Sequence, residues 1–403
     1  MTKEIFIQKL GMELPEKIMQ YYDSEPSIFG CEDDEFISDG YIKEISDRYT
    51  LLPESLDYVL GYARIIREDE VLAPLARLLK RTLNLKDPYE LIAFPAVPDT
   101  VPVERIKAIE MTAFLAIYSC AEEVVNYALR MGMPRSVAYD TARVFEGYLT
   151  LAKLRLGRDG FPASTYYSWN QRYINHTIFK IGILNFELQH HAADDVYLLT
   201  NGTEYKILMN NKEIGEGGCR VGTRGCETAL FTATFTETDE YYEGYETDTR
   251  AGRVKSTPVR LPKSEWRVEL APGDPIVAVH IPRECPLSRE NIDNAYSDAL
   301  RLITDKLGFK PKAIYCCSWL IDPQIEGLVR EGSNIVRFQS DYLKYPRIAS
   351  GRAVFSFLFY MQTEDYTKLP ERTSLQRAVK DLYLNGGFIH EVAGLIPIGR
   401  YMN

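Results

Sequence analysis

Nothing in the 403 residues approaches the roughly eighteen consecutive apolar residues of a membrane helix. The longest candidate, Met111 to Cys120, stops at Glu122 and Glu123. A basic excess is missing too. The net charge of -10 argues against a nucleic-acid or anionic-membrane partner, both of which need a basic face, although it leaves room for a local basic pocket. The N-terminus, MTKEIFIQKLGMELPEK, places charges where a signal peptide needs an apolar core, so no export is expected. The seven cysteines are odd in number and irregular in spacing, which fits reduced thiols in the cytoplasm. The sequons at Asn175 and Asn201 are then chance matches. Histidine is scarce: there are five, and none precedes His176.

The common catalytic signatures fail on counting. No G-x-S-x-G elbow, kinase set or H-E-x-x-H helix is present. Gly215, Gly217, Gly218, Gly222 and Gly225 suggest a phosphate loop. However, Arg220 sits where a third dinucleotide-binding glycine belongs, and no lysine follows Gly222, so the segment reads as a flexible turn region. Cys219, Cys226, His190 and His191 match no common zinc spacing, so no metal site is expected. The acidic, tyrosine-bearing stretch Thr236 to Asp248 reads as an exposed, solvated loop, with attraction of an amine as the alternative.

What is present is a globular composition, 45% hydrophobic and 26% charged, in a chain long enough for two domains. Residues 1–162 read as helix after helix. Leu56, Leu60 and Ala63 recur at helical spacing, Val103 to Met131 forms a long helical stretch, and Val137, Phe145, Leu149 and Ala152 share a face. Gly157 and Gly160 end that run. Residues 163–403 change character. Thr177 to Leu188 and Ala229 to Phe235 read as strands, and Tyr205–Met209 with Lys212–Ile214 reads as a hairpin turning at Asn210–Asn211. From Pro275 an α/β pattern follows. Strands are expected at Ile276–Ile281, Ala313–Leu320, Asn334–Phe338, Ala353–Tyr360 and Phe388–Pro397, and helices at Ser288–Leu307 and Ser374–Leu384. The expected class is α+β: an all-α N-terminal domain, then a mixed β-sheet domain flanked by helices.

Several ordered segments carry a resemblance. Met131-Gly-Met-Pro134 with Asp140-Thr141, Phe179 to Phe186, Trp266 to Leu270, Pro272-Gly273-Asp274 and His280-Ile281-Pro282 come first. Ser318 to Gln324, Ser333-Asn334-Ile335, Leu369-Pro370 and Thr373 to Ala378 follow. Together they resemble bacterial acyltransferase-domain proteins with a helical N-acyltransferase-type N-terminal domain and a GNAT-like C-terminal domain. The resemblance implies acyl-CoA or acetyl-CoA as cosubstrate, no metal, and a small amine or amino-sugar-like acceptor. It also implies a gap between the strands Ile276–Ile281 and Ala313–Leu320 in which pantetheine lies. The family's glycine-rich pyrophosphate loop is replaced by Pro282 to Ser288, which has no glycine and loses a donor at Pro286. Arg283, Ser288 and Arg289 at the start of the next helix are the remaining phosphate-binding candidates, with Trp319 beside the gap.

Amide formation needs a base, an oxyanion donor and an acid for the leaving thiolate. Under the resemblance His280 is the base, Ser318 a donor to the oxyanion or thiolate, and Cys317 or Cys316 an alternative nucleophile. Each has a plainer reading: a satisfied core histidine for His280, a turn hydrogen bond for Ser318, packing for Trp319 and a helix cap for Asp322. His390 is a candidate of the same kind as His280. A non-catalytic GNAT-like ligand-binding or scaffold protein stands as the alternative function, and the sequence leaves the oligomeric state open.

Overall fold

The structure is a computed structural model that describes residues 1–24, 34–83, 87–191, 195–283 and 285–401. The chain divides into two compact units, Met1–Ile181 and Gly182–Asn403. Among the described residues, no helix is long and apolar enough to cross a membrane.

The first unit is helical: α1 Lys3–Leu10, α2 Glu16–Ser24, α3 Asp39–Tyr49, α4 Leu56–Glu68, α5 Leu72–Thr82, α6 Val103–Tyr118, α7 Ala121–Arg130, α8 Arg135–Leu156 and α9 Ala163–Ile174. The hydroxyls of Thr2 and Ser38 cap α1 and α3 by accepting N–H bonds from Ile5 and Tyr41. Gly157, at φ 65°, ends α8 in the left-handed conformation that suits glycine. The expected single helix over Val103–Met131 is two. Ser119 Oγ donates back to the Ala116 carbonyl at 2.6 Å, diverting the chain between α6 and α7. Strand β1, Ile178–Ile181, closes the unit and hangs its Lys180 N–H on Thr141 Oγ1.

The second unit has two main sheets. Their strands are β2 Leu184–His190, β3 Val196–Thr200, β4 Tyr205–Met209, β5 Lys212–Ile214, β6 Phe231–Ala233, β7 Phe235–Glu237, β8 Tyr241–Asp248, β9 Arg253–Pro262, β10 Arg267–Leu270, β11 Pro275–His280, β12 Ala313–Ser318, β13 Leu343–Pro346 and β14 Val392–Pro397. The first sheet runs β2-β11-β12-β14-β13; β11 and β12 are parallel and the other pairs antiparallel. The second runs β10-β3-β4-β8-β7, with β9 beside β8. Helices α10 Arg289–Leu307, α11 Asn334–Gln339 and α12 Ser374–Leu384 complete the unit.

Strand alternation decides what each face of the first sheet meets. Ile276, Ala313, Ala393, Leu395 and Tyr345 share one face and pack against Val196, Leu198, Ile207, Met209 and Leu270 of the second sheet. On the opposite face Phe186 meets Tyr296 of α10 edge-on at 6.3 Å, and the Tyr296 hydroxyl bonds that of Tyr342 at 2.6 Å. The first sheet is therefore a middle layer, helix on one side and sheet on the other.

Several sequence expectations are corrected. Thr236–Asp248 is no loop: it spans most of β7 and all of β8, where Glu243 and Glu246 are held by Arg260, Lys206 and Lys255. The strands Tyr205–Met209 and Lys212–Ile214 exist but do not pair with each other; β4 joins β3 and β8, and β5 joins β6. The Asn334–Phe338 segment is helix α11, because Ser333 caps it on Val336 N–H. Ala353–Tyr360 contains a π-helical turn, Phe355–Phe359, ended by Tyr360 at φ 57°. A short apolar run does not reveal its own period, and both errors come from that. Thr177–Leu188 is β1 and β2 with Gly182, at φ 57°, between them.

The inter-sheet core makes the second unit depend on residues such as Leu395, which is fully buried. Leu395→Ala should lower unfolding free energy by about 2–5 kcal/mol in denaturant titration. A loss below about 1 kcal/mol would show that the layers do not rely on this contact.

Candidate active site

The parallel pairing of β11 with β12 runs over Ile276–Ala313, Val277–Ile314 and Ala278–Tyr315 and then stops. Each strand nevertheless keeps its outer neighbour: β11 stays paired to β2 as far as His280–Asn185, and β12 stays paired to β14 as far as Ser318–Val392. The sheet is thus split beyond Ala278 and Tyr315. Val279 and His280 form one lip, and Cys316, Cys317 and Ser318 the other. Inner backbone groups along both lips lack a ladder partner in the opposing strand and need another one.

The register sorts the candidate side chains by face. His280 stands opposite Asn185, and Glu187 opposite Ala278, so Asn185, Glu187 and His280 share a face. Ala278 pairs with Tyr315, so Tyr315 and, two residues on, Cys317 belong to that face as well. It is the face covered by the second sheet nearer the strand starts; at the split the Cys317 residue is exposed. His280 Nε2 lies 2.8 Å from Glu187 Oε2, with the glutamate side chain 5% exposed and the imidazole 30%. Gln189 Nε2 donates to the same carboxylate oxygen at 2.6 Å. A buried carboxylate accepts, so a neutral His280 gives its Nε2–H to Glu187 and carries its lone pair on Nδ1.

Beyond β12, Arg347 donates to the Tyr315 hydroxyl at 2.9 Å. Burial pushes the nearby Glu391 carboxyl above the usual carboxylate range, and Arg347 pulls it partly back.

The other candidates are placed differently. Ser318 lies on the opposite strand face from Cys317, and its Oγ accepts the Leu320 N–H at 3.1 Å, where the chain turns into a 3₁₀ segment. Cys316, on that same opposite face, is buried, and burial raises its thiol pKa. Trp319 packs against the cluster around Ile325, Phe355 and Tyr383. Asp322 caps the next turn through Gln324 N–H and accepts from the backbone N–H of His390 at 2.6 Å, with His390 Nδ1 3.1 Å away. A second histidine–carboxylate pair therefore sits just past the same end of the sheet, but it is tied into a turn. Ser288 caps α10 on Asn291 N–H. Arg289 is spread over Asp293, Asp341 and the Tyr401 hydroxyl. It enters any phosphate site as part of an ion cluster, not as an uncommitted cation. The Arg283 guanidinium lies 5.5 Å from the centre of the Tyr360 ring.

Sequence reasoning overlooked Glu187 and Asn185. The signal was there: Asn185, Glu187 and Gln189 are alternate polar residues in a segment otherwise composed for burial, and alternation sets them on one face. Likewise, the glycine-rich segment is not a phosphate loop in form. A Cβ on Gly218, at φ 74°, would fall 2.4 Å from the Val254 carbonyl, so glycine there serves a close backbone approach.

Comparison with known proteins agrees with this fold. The family described as GNAT-like C-terminal domain matches residues 178–396. Among solved structures, an acyltransferase in complex with CoA and 10C-teicoplanin superposes with a TM-score of 0.66 at 14% identity, over 98% of this chain and 99% of that one. An acyltransferase in complex with decanoyl-CoA and teicoplanin gives 0.65 at 14% identity, and an acyltransferase mutant in complex with octanoyl-CoA gives 0.65 at 15%, with the same coverage. At these identities the likeness is one of fold. No curated protein sequence matches at a significant level.

The assignment of faces is checkable by thiol chemistry. In the native protein iodoacetamide should alkylate Cys317 at least about tenfold faster than buried Cys316, read by peptide mass spectrometry. Equal labelling would show that the lip around β12 is not arranged as described.

Proposed function

The chain belongs to the family of proteins with a GNAT-like C-terminal domain, and from that premise we propose that it transfers an acyl group from acyl-CoA to an amine. The observation that carries the proposal is the split between β11 and β12 with the His280–Glu187 pair on its lip. The acyl-CoA complexes of the solved structures with this fold support the choice of donor.

In this reading the pantetheine arm lies in the split, and its amides take up backbone groups that the parallel ladder leaves unused. The thioester carbon rests near His280. The amine nitrogen attacks that carbon, forming the C–N bond. Backbone N–H groups on the lips steady the oxyanion. Ser318 lies on the strand face opposite to that of His280 and Cys317, so it is assigned a supporting place there rather than the main donor role. His280 Nδ1 takes a proton from the attacking nitrogen, and Glu187 stabilises the resulting imidazolium and fixes the ring. The C–S bond breaks as the carbonyl reforms, and the imidazolium returns its proton to the CoA thiolate. Direct transfer needs no acylated enzyme; Cys317, on the same face across the split, is the thiol that a two-step route would use.

The phosphates of CoA are assigned to the capped start of α10, with Ser288 at the cap, Arg283 in the segment that leads to it, Arg289 acting through its ion cluster, and Trp319 flanking the arm. The commitment of Arg289 to Asp293 and Asp341 favours the second reading, a GNAT-like ligand-binding or scaffold protein that does not hold acyl-CoA. Among the described residues the cysteines stand outside disulfides, and this with a thioester donor supports a cytoplasmic protein.

Calorimetric titration with acetyl-CoA and octanoyl-CoA should give micromolar binding by the wild type. His280→Ala should keep that affinity within a few-fold and lose about 10²–10⁴-fold in transfer to an amine panel. No heat with either donor would overturn acyl-CoA use and leave the scaffold reading. Glu187→Gln, tested in the same assay, should keep donor binding and lose about 10–100-fold in transfer, because the ring loses its anionic partner. Undiminished transfer would remove Glu187 from the site.

A further inference from the structure

One polar atom beside His280 has no partner. Asn185 is 7% exposed, and its Oδ1 makes no hydrogen bond. It stands directly opposite His280 in the β2–β11 ladder and on the same face. Antiparallel partners of this kind hold their Cβ atoms about 4.5–5.5 Å apart, so both side chains can reach one small group between them. Its neighbours on that face are engaged, since Glu187 accepts from both His280 and Gln189. Leaving a buried acceptor unsatisfied is costly, and such atoms in folded proteins call for an explanation.

We propose that Asn185 is the specificity residue that fits this site to a primary amine, its Oδ1 accepting one N–H of the attacking nitrogen while His280 takes the other. This rests on the acyl-transfer reading above. A neutral primary amine carries two N–H bonds and a lone pair. The lone pair forms the bond to the acyl carbon, one N–H passes its proton to His280 Nδ1, and the second is retained in the amide product. It is this retained N–H that Asn185 Oδ1 accepts throughout the reaction. The C–S bond breaks, and the proton on His280 leaves with the CoA thiolate, so the balance is that of direct transfer. A secondary amine has one N–H, which His280 consumes, and an alcohol has one O–H with the same fate. Either acceptor leaves Oδ1 unpaired in the closed complex. A site built to bond an N–H discriminates strongly against analogues that lack it. Asn185 touches only the hydrogen that is not transferred, so it positions the nucleophile rather than moving a proton.

The test compares benzylamine, tyramine and glucosamine with their N-methyl derivatives, using octanoyl-CoA as donor and the full chain. The wild type should favour the primary amines. Asn185→Leu, close in size but without an acceptor, should lower kcat/KM for a primary amine by about 10–100-fold and leave the N-methyl rate within about threefold, so the ratio collapses. Asn185→Asp keeps an acceptor at the position and should hold the ratio well above that of the leucine variant. Should Asn185→Leu fail to fold, Asn185→Ala reads the same ratio. An unchanged ratio, or equal slowing of both acceptors, overturns the inference while leaving acyl transfer in place. A wild type that transfers to no amine overturns the acyl-transfer reading, and this inference with it.

Discussion

Two parallel strands that begin hydrogen-bonded and then part are the constraint on which the second unit is organised. β11 and β12 share a ladder over Ile276–Ala313 to Ala278–Tyr315 and separate beyond it. The separation holds because each strand is anchored on its outer side, β11 by β2 and β12 by β14. It is held open from the layers as well. The second sheet grips Ile276, Ala313, Ala393 and Leu395, and α10 with Tyr342 backs the opposite face. A parallel pair anchored in this way presents backbone donors and acceptors at a fixed spacing. In the proposed reading the side chains along the lips set the chemistry there.

Two histidine–carboxylate pairs lie near that end of the sheet, and their surroundings separate them. His280 is partly open and bonded to a buried glutamate two strand positions away, an arrangement that fixes a ring without closing it off. His390 is bound to the capping carboxylate Asp322, and Gln324 and Arg253 stand against its two ring nitrogens. In the proposed reading the first moves a proton, and the second holds a turn. The charges near α10 follow a similar logic. Arg289 is neutralised by Asp293 and Asp341, so the start of that helix offers oriented backbone N–H groups more than it offers a bare cluster of cations.

Much of this was legible in the sequence, and the reasons for the rest are physical. The two α/β strands carrying the split, and the long helix between them, are read from their buried-type runs and the Ser288 cap. The ordered segments from Met131 to Ala378 point to the GNAT-like fold, which the family match at residues 178–396 bears out. The second sheet was largely illegible. Its β8–β9 ribbon sets glutamates of β8 against cations of β9, Glu243 with Arg260 and Glu246 with Lys255, and the charge masks the strand pattern. Nearness in sequence suggests that Tyr205–Met209 and Lys212–Ile214 are partners, whereas each pairs with a strand further along. For the proposed site, His280 is named from residue type and position, whereas the alternation of Asn185, Glu187 and Gln189 marks a shared polar face without showing what it meets. Their roles depend on a register that brings residues about ninety positions apart face to face.

The most direct measurement is a crystal structure of the full chain soaked or co-crystallised with octanoyl-CoA. The pantetheine arm should lie between β11 and β12, past Ala278 and Tyr315, with the thioester carbon on the face that carries His280 and Asn185. CoA bound elsewhere on the molecule, or a split filled by the protein's own side chains and closed to the ligand, would contradict it.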